Sequence, residues 1–270
     1  MHAFDFQRPA TLKDAAAFLK KNETARVLGG GQSLIPTLKM RLAQTPALVD
    51  VTRLEELRAV KLEAAVLTVG AGLRHSEVAT HKDVLIGVPA LARVAAGIGD
   101  RQVRNMGTLG GSLANNDPAA DYPAAVLGLG ATIHTNRRSL AADKFFTGLY
   151  ETALKPGEII TSVEFPLPKR AAYVKFKQPA SRFALVGVFV SEGAGHVRVA
   201  VTGAGNAGVF RMKDMEKKLA EKFAMESIAK SKIATDKLLS DIHASGEYRA
   251  HLIGVLAQRA VAAAIAGKYQ

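Results

Sequence analysis

Hydrophobic and polar positions divide the chain into three textures. In the first, residues 4–6 read as a short strand. Thr11 then stands before Leu12, Ala15, Ala16 and Leu19, the spacing of one helix face, which predicts a capped helix over 12–21. Short apolar runs at 25–28 and 47–51 predict buried strands, with a helical pattern over 34–42 between them. This β-α-β-α-β block forms a first unit, residues 1–55. The second unit, 56–168, has strands at 60–62, 66–70, 131–134 and 158–165. Its helices fall at 89–98, with Pro89 in the first turn, and at 122–129. Residues 99–121 read as a loop. Pro166 and Pro168 end the last strand and mark the boundary. The third unit, 169–270, opens with strands at 172–177, 184–191 and 196–202. The middle one is apolar on both faces and is expected to be central. From Phe210 onward the pattern is helical. Ser245 caps a final helix over 246–266, with Leu252, Val255, Leu256, Ala260 and Ala263 as its buried stripe.

Two glycine-rich segments interrupt these elements. One is Gly29-Gly30-Gly31-Gln32-Ser33, running into Leu34. The other is Thr108-Leu109-Gly110-Gly111-Ser112, extended through Asn115 to Pro118. Glycine permits close backbone approach and positive φ. Successive backbone N–H groups in such a loop form an anion-binding concavity. A pair of them suggests a clamp on a diphosphate, with Gly30, Gly31, Gln32 and Ser33 on one phosphate and Thr108, Gly110, Gly111 and Ser112 on the other. No P-loop motif is present. A Gly-x-Gly-x-x-Gly occurs at Gly203 to Gly208, but no strand with an acidic residue follows about 20 residues on, as a dinucleotide fold requires. It reads as a sheet-to-helix connection.

Composition narrows the chemistry. The 270 residues include no cysteine, which removes disulfides, thiolate nucleophiles and iron–sulfur ligation by this chain. The seven histidines are scattered, with no metal-binding spacing. The net charge is +12, but Lys and Arg are dispersed among acidic residues even in the richest segment, 211–232. That pattern describes a solvated helix face better than a nucleic-acid site, with a docking surface for a partner subunit as the alternative. No apolar run reaches the roughly 18 residues of a membrane span. The first nine residues lack a signal-peptide pattern, so a cytoplasmic protein is expected.

Taken in order along the chain, the motifs resemble the FAD-binding medium subunit of the molybdenum hydroxylases, the xanthine dehydrogenase and aerobic carbon monoxide dehydrogenase family. That family shows Ala-Gly-Gly-x-Ser at its first loop, here Gly29 to Ser33. At its second it shows Thr-(Ile/Leu)-Gly-Gly-(Asn/Ser), here Thr108 to Ser112, introduced by Gln102-Val103-Arg104-Asn105-Met106-Gly107. Further matches are Pro156-Gly157-Glu158-Ile159-Ile160, Phe176-Lys177 and Ser245-Gly246-Glu247-Tyr248-Arg249. The stretch Asn206 to Arg211 departs from the family's usual sequence.

The resemblance implies an α+β fold. Two α+β subdomains hold FAD in the manner of the p-cresol methylhydroxylase-type flavin domain, followed by a C-terminal three-stranded sheet and helical bundle. It implies non-covalent FAD bound by Gly29, Gly30, Gly31, Gln32, Ser33, Leu34, Thr108, Gly110, Gly111, Ser112 and Asn115. Asp121 is expected on ribityl or ribose hydroxyls, Ile160 against a ring of the cofactor, and Lys177 near the isoalloxazine edge. Their structural alternatives are a helix N-cap, a core strand residue and a surface lysine. The implied role is electron transfer. A large subunit with a molybdenum cofactor oxidises the substrate. A small subunit with two [2Fe–2S] clusters relays electrons to the FAD chain, the whole forming a dimer of heterotrimers. The alternatives are a stand-alone flavin oxidoreductase and a basic module without cofactor.

Overall fold

The computed structural model describes residues 1–267. The first unit comprises β1 (Asp5–Gln7), α1 (Leu12–Lys21), β2 (Arg26–Leu28), α2 (Leu34–Lys39) and β3 (Ala47–Asp50). Its strands form a parallel sheet with β3 in the middle. The Thr11 hydroxyl accepts from the Asp14 amide and starts α1. Ala15 and Leu19 then pack onto Val49 and Leu57 in a small core.

The second unit contains β4 (Val60–Glu63), β5 (Val66–Gly70), α3 (His75–Thr80), α4 (Lys82–Gly87), α5 (Pro89–Ala96), α6 (Arg101–Met106), α7 (Leu109–Asn115) and α8 (Tyr122–Leu129). These are followed by β6 (Thr132–Thr135), β7 (Ser139–Ala141), β8 (Phe146–Gly148), β9 (Glu151–Thr152) and β10 (Ile160–Pro166). An antiparallel sheet of order β4-β5-β10-β6-β7 backs the helices. The expected loop over 99–121 is instead largely helical. Asp100 caps α6 through the Val103 amide, and Thr108 caps α7 through the Gly111 amide. Leu109 and Leu113, one turn apart, are buried and bind α7 to the core. The glycines and polar residues in this stretch conceal two ordinary capping patterns. Helices α3 and α4 are also additions to the sequence reading.

The third unit has β11 (Arg170–Lys177), β12 (Ala184–Gly193), β13 (His196–Thr202), β14 (Phe210–Arg211), α9 (Lys213–Glu221), α10 (Met225–Ile228) and α11 (Gly246–Ala266). The three long strands pair antiparallel with β12 inside, as expected, and the two-residue β14 extends the edge. The Gly203–Gly208 segment is therefore a hairpin connection, not a passage from sheet to helix. Gly203 sits at φ +81°, and a Cβ there would strike the Leu185 carbonyl. The region after Phe210 is only partly helical, since residues 229–245 carry no helix or strand. Ser245 caps α11 through the Tyr248 amide. The buried stripe of α11 is Leu252, Ile253, Leu256, Ala257, Ala260, Val261 and Ala264, while Val255 and Ala263 are half-buried.

All eight residues of α8 are buried. An amphipathic helix would leave one polar face in water; α8 has none, because the second unit covers one side and the C-terminal sheet the other. One hydrophobic core accordingly joins Leu91, Leu113 and Val126 of the second unit to Tyr173, Phe189 and Ala200 of the third. Polar clamps reinforce it. Ser191 donates to the Gly128 carbonyl at 2.6 Å, and the Thr202 hydroxyl contacts the Pro118 and Ala120 carbonyls at 3.0 and 2.7 Å. Among the described residues no helix is long and apolar enough to cross a membrane.

Candidate functional site

The two glycine segments meet. A Cβ placed on Gly29 would lie 2.9 Å from the Thr108 hydroxyl oxygen and 3.9 Å from Gly111 Cα. One placed on Gly30 would collide with the Met106 carbonyl. At position 30 only glycine lets both backbones line the same cleft, whereas at position 29 a Cβ would press on the Thr108 side chain alone. That cleft has a volume of about 1380 Å³, above the roughly 300–1,000 Å³ of pockets for drug-sized ligands. Every site residue expected from sequence lines it except Lys177.

Accounting for backbone hydrogen bonds separates the two loops. Among the described residues, no amide from Gly29 to Leu34 has a protein acceptor. Gly31 turns the chain here with φ +69°. Ser33 heads α2 without capping it, so its hydroxyl is also uncommitted. This run of amides and a hydroxyl at one bend is a cradle for an anion. The second loop differs from expectation. Leu109 donates to the Leu73 carbonyl at 3.0 Å and Gly110 to Ala71 at 2.8 Å. Gly111 donates to the Thr108 hydroxyl oxygen at 3.1 Å and Ser112 to the Thr108 carbonyl at 3.0 Å. The amides of Leu109 to Ser112 are thus occupied. Nor do Gly110 and Gly111 take positive φ, since both lie in α7. The second loop presents the Thr108 and Ser112 hydroxyls, together with a glycine surface that a ligand can approach closely.

Asp121 sits in the cleft wall at the head of α8, 4 % exposed, and does not cap that helix. Its carboxylate accepts from Lys175 Nζ at 2.7 Å and from the Tyr173 hydroxyl at 2.5 Å. Burial raises its pKa, while Lys175 and Tyr173 pull it back. Tyr173 and Lys175 escaped the sequence reading, although their alternation with Lys177 along one strand places them on one face. A β-bulge between Phe176 and Lys177 then breaks the alternation. Lys177 ends exposed on β11, outside the cleft lining. Ile160 is 5 % exposed, belonging to the core and the cleft wall together.

His75 also lines the cleft and was not anticipated. Its amide donates to the Gly107 carbonyl at 2.9 Å, and its ring packs on Tyr122 at 5.3 Å between centroids. Burial, with Arg104 nearby, depresses its pKa from 6.5 to about 4. The folded state therefore holds His75 neutral where the unfolded chain would protonate it. Stability present above pH 6.5 is lost as pH falls toward 4, about 2 kcal/mol of it by pH 5. Urea unfolding at pH 7 and pH 5 should show this loss in the wild type and a smaller one in His75→Gln. Equal losses would exclude His75 as the source.

A cradle for an anion in the wall of so large a cleft fits an extended dinucleotide bearing a diphosphate. Residues 2–168 match the family described as the FAD binding domain in molybdopterin dehydrogenase. The chain is 33% identical over 272 residues to the glyceraldehyde dehydrogenase medium chain of Sulfolobus acidocaldarius, covering 95% of this chain and 96% of that one. It is 30% identical to the carbon monoxide dehydrogenase medium chain of Hydrogenophaga pseudoflava, covering 97% and 96%. Among solved structures, a chain of the carbon monoxide dehydrogenase from Hydrogenophaga pseudoflava superposes with a TM-score of 0.92 at 31% identity, covering 98% of both chains. A chain of quinoline 2-oxidoreductase from Pseudomonas putida 86 gives 0.89 at 31% identity, covering 100% and 99%. With its cradle, cleft and sequence in agreement, this chain belongs to the molybdenum hydroxylase family, as an FAD-binding medium subunit of an oxidoreductase.

Proposed function

We propose that this chain is the electron-transfer flavin subunit of its complex. It takes electrons from [2Fe–2S] clusters on a small partner chain and delivers them to an external acceptor. A large partner with the molybdenum cofactor oxidises the substrate, in a cytoplasmic dimer of heterotrimers. The observation that carries this reading is the run of unengaged amides from Gly29 to Leu34, which equips the chain to hold a diphosphate cofactor. With no cysteine among these 270 residues, none of them can ligate a cluster that feeds the cofactor through a thiolate.

Bound FAD supplies the redox chemistry. The chain's own residues position it. The amides of Gly29 to Leu34 and the Ser33 hydroxyl hold one phosphate without bringing in a counter-charge. The Thr108 and Ser112 hydroxyls face the other. Gly29 and Gly111 keep the cleft narrow at this point. Ile160 offers an apolar surface to a ring, and the Asp121 carboxylate, fixed by Lys175 and Tyr173, offers an acceptor to cofactor hydroxyls.

The purified chain should take up about one FAD, and acid precipitation should release it to the supernatant. His2 and His75 both line the cleft, so flavin retained in the pellet would indicate a covalent link and refute non-covalent binding. Dithionite should reduce the bound FAD, while the organic substrate of the complex should not. Copurification from the native source should yield one iron-containing and one molybdenum-containing partner. Substrate turnover by this chain alone would overturn the subunit reading in favour of a stand-alone flavin oxidoreductase.

A further inference from the structure

His75 lines the cleft with only 5 % of its surface exposed. Among the described residues, no protein group is hydrogen-bonded to either of its ring nitrogens. We propose that His75 is a further cofactor-binding residue, whose Nε2–H donates to the FAD phosphate seated at the second glycine loop. The proposal rests on the placement of FAD argued above and supplies a donor of which that placement is short.

The two ring nitrogens differ. Nδ1 is shut inside the protein, in a ring packed on Tyr122, whose hydroxyl is likewise buried and unpartnered. Nε2 is the nitrogen that keeps access to the cleft. Buried polar side chains are nearly always paired, so a ring left wholly unpaired by its own chain is one that a ligand is expected to complete.

Nε2 is also the atom that meets the second loop. A Cβ on Gly107 would lie 2.5 Å from it. Gly107 has φ −60° and ψ 141°, extended backbone open to any residue. Room for the imidazole, not backbone conformation, therefore calls for glycine at this position. The same glycine touches the first loop, since a Cβ on Gly30 would lie 2.6 Å from Gly107 Cα. His75 thus stands where the two loops converge. Its backbone is tied there by its amide on the Gly107 carbonyl and by the bridge between Arg74 and Thr108.

The second loop needs such a donor. With the amides of Leu109 to Ser112 occupied, only the Thr108 and Ser112 hydroxyls are left for the second phosphate. A phosphate oxygen can only accept, so the neutral ring bound to it carries its proton on Nε2. Hydrogen bonds to a charged acceptor are the stronger kind. The neutral imidazole supplies one without adding a charge to the cleft, as the amides of the first loop do.

The test measures FAD binding to the full-length apoprotein by flavin fluorescence, and inorganic diphosphate binding by competition with FAD. His75→Leu should weaken both by the same factor, at least about tenfold, as expected for one lost hydrogen bond to a charged group. His75→Gln, whose amide nitrogen reaches as far as Nε2, should recover most of the affinity. His75→Asn, whose amide reaches only as far as Nδ1, should not. Packing alone would rank Leu, an apolar filler of a buried site, above Gln, and apoprotein melting records that contribution separately. Wild-type FAD affinity in His75→Leu would overturn the proposal and leave the flavin role intact. Equal losses in all three variants would also overturn it. Weaker FAD binding with unchanged diphosphate binding would put Nε2 against another part of the cofactor and overturn it too. A chain that takes up no FAD would overturn the flavin role, and the part of His75 with it.

Discussion

Gly111→Val is expected to lose most of its FAD affinity while keeping most of its fold. A Cβ on Gly111 points at the Thr108 hydroxyl oxygen, 2.8 Å away, on the side that faces Gly29. A branched side chain there displaces that hydroxyl and forces the loops apart where the proposed function seats the diphosphate. The apoprotein loses the Thr108 cap of α7, worth about 1 kcal/mol. The holoprotein loses in addition the charged hydrogen bonds that depend on both loops, each worth about 1.5–3 kcal/mol. FAD affinity should therefore fall at least about a hundredfold. Flavin titration set against apoprotein melting separates the two effects. Wild-type affinity in the variant would remove the second loop from the site.

Lys175→Met should be the most destabilising single change near the cleft. It leaves the Asp121 carboxylate buried with only the Tyr173 hydroxyl as partner. Removing one member of a buried ion pair costs about 3–5 kcal/mol. The deficit should shrink on acidification, because burial raises the Asp121 pKa and the folded variant gains a proton that the unfolded chain holds less tightly. Asp121→Asn combined with Lys175→Met should recover part of the loss. Urea unfolding across pH 5 to 8 measures all three. A Lys175→Met protein as stable as wild type would show that water, not Lys175, satisfies the carboxylate.

What could be read from the sequence depended on the range of the interaction concerned. Thr11 and Ser245 act on amides three residues away, so the starts of α1 and α11 were legible from spacing alone. The first glycine loop was legible for a similar reason, since its amides are left over from local structure. The second loop looked equivalent, but its Leu109 and Gly110 amides are taken by Leu73 and Ala71, which approach from a different part of the chain, and its Gly111 and Ser112 amides by Thr108 within the loop. No local pattern reveals the first of these losses. Lys177 and Lys175 exchanged prominence through one bulge, a feature that alternation cannot foresee. Helices α6 and α7 carried standard caps, yet glycine and polar residues outweighed Leu109 and Leu113 in the reading. The two glycine segments that meet at the cleft were therefore visible in outline, while the allocation of their hydrogen bonds required the tertiary structure.

The wholly apolar helix α8 also bears on how such subunits can diverge. Because α8 is covered on one side by the second unit and on the other by the C-terminal sheet, residues 2–168 taken alone would expose an apolar helix face that another surface must cover. Substitutions on that sheet therefore bear on the cofactor at second hand, through the helix whose head carries Asp121. A lineage cannot easily discard the sheet on which α8 rests without supplying another cover for it.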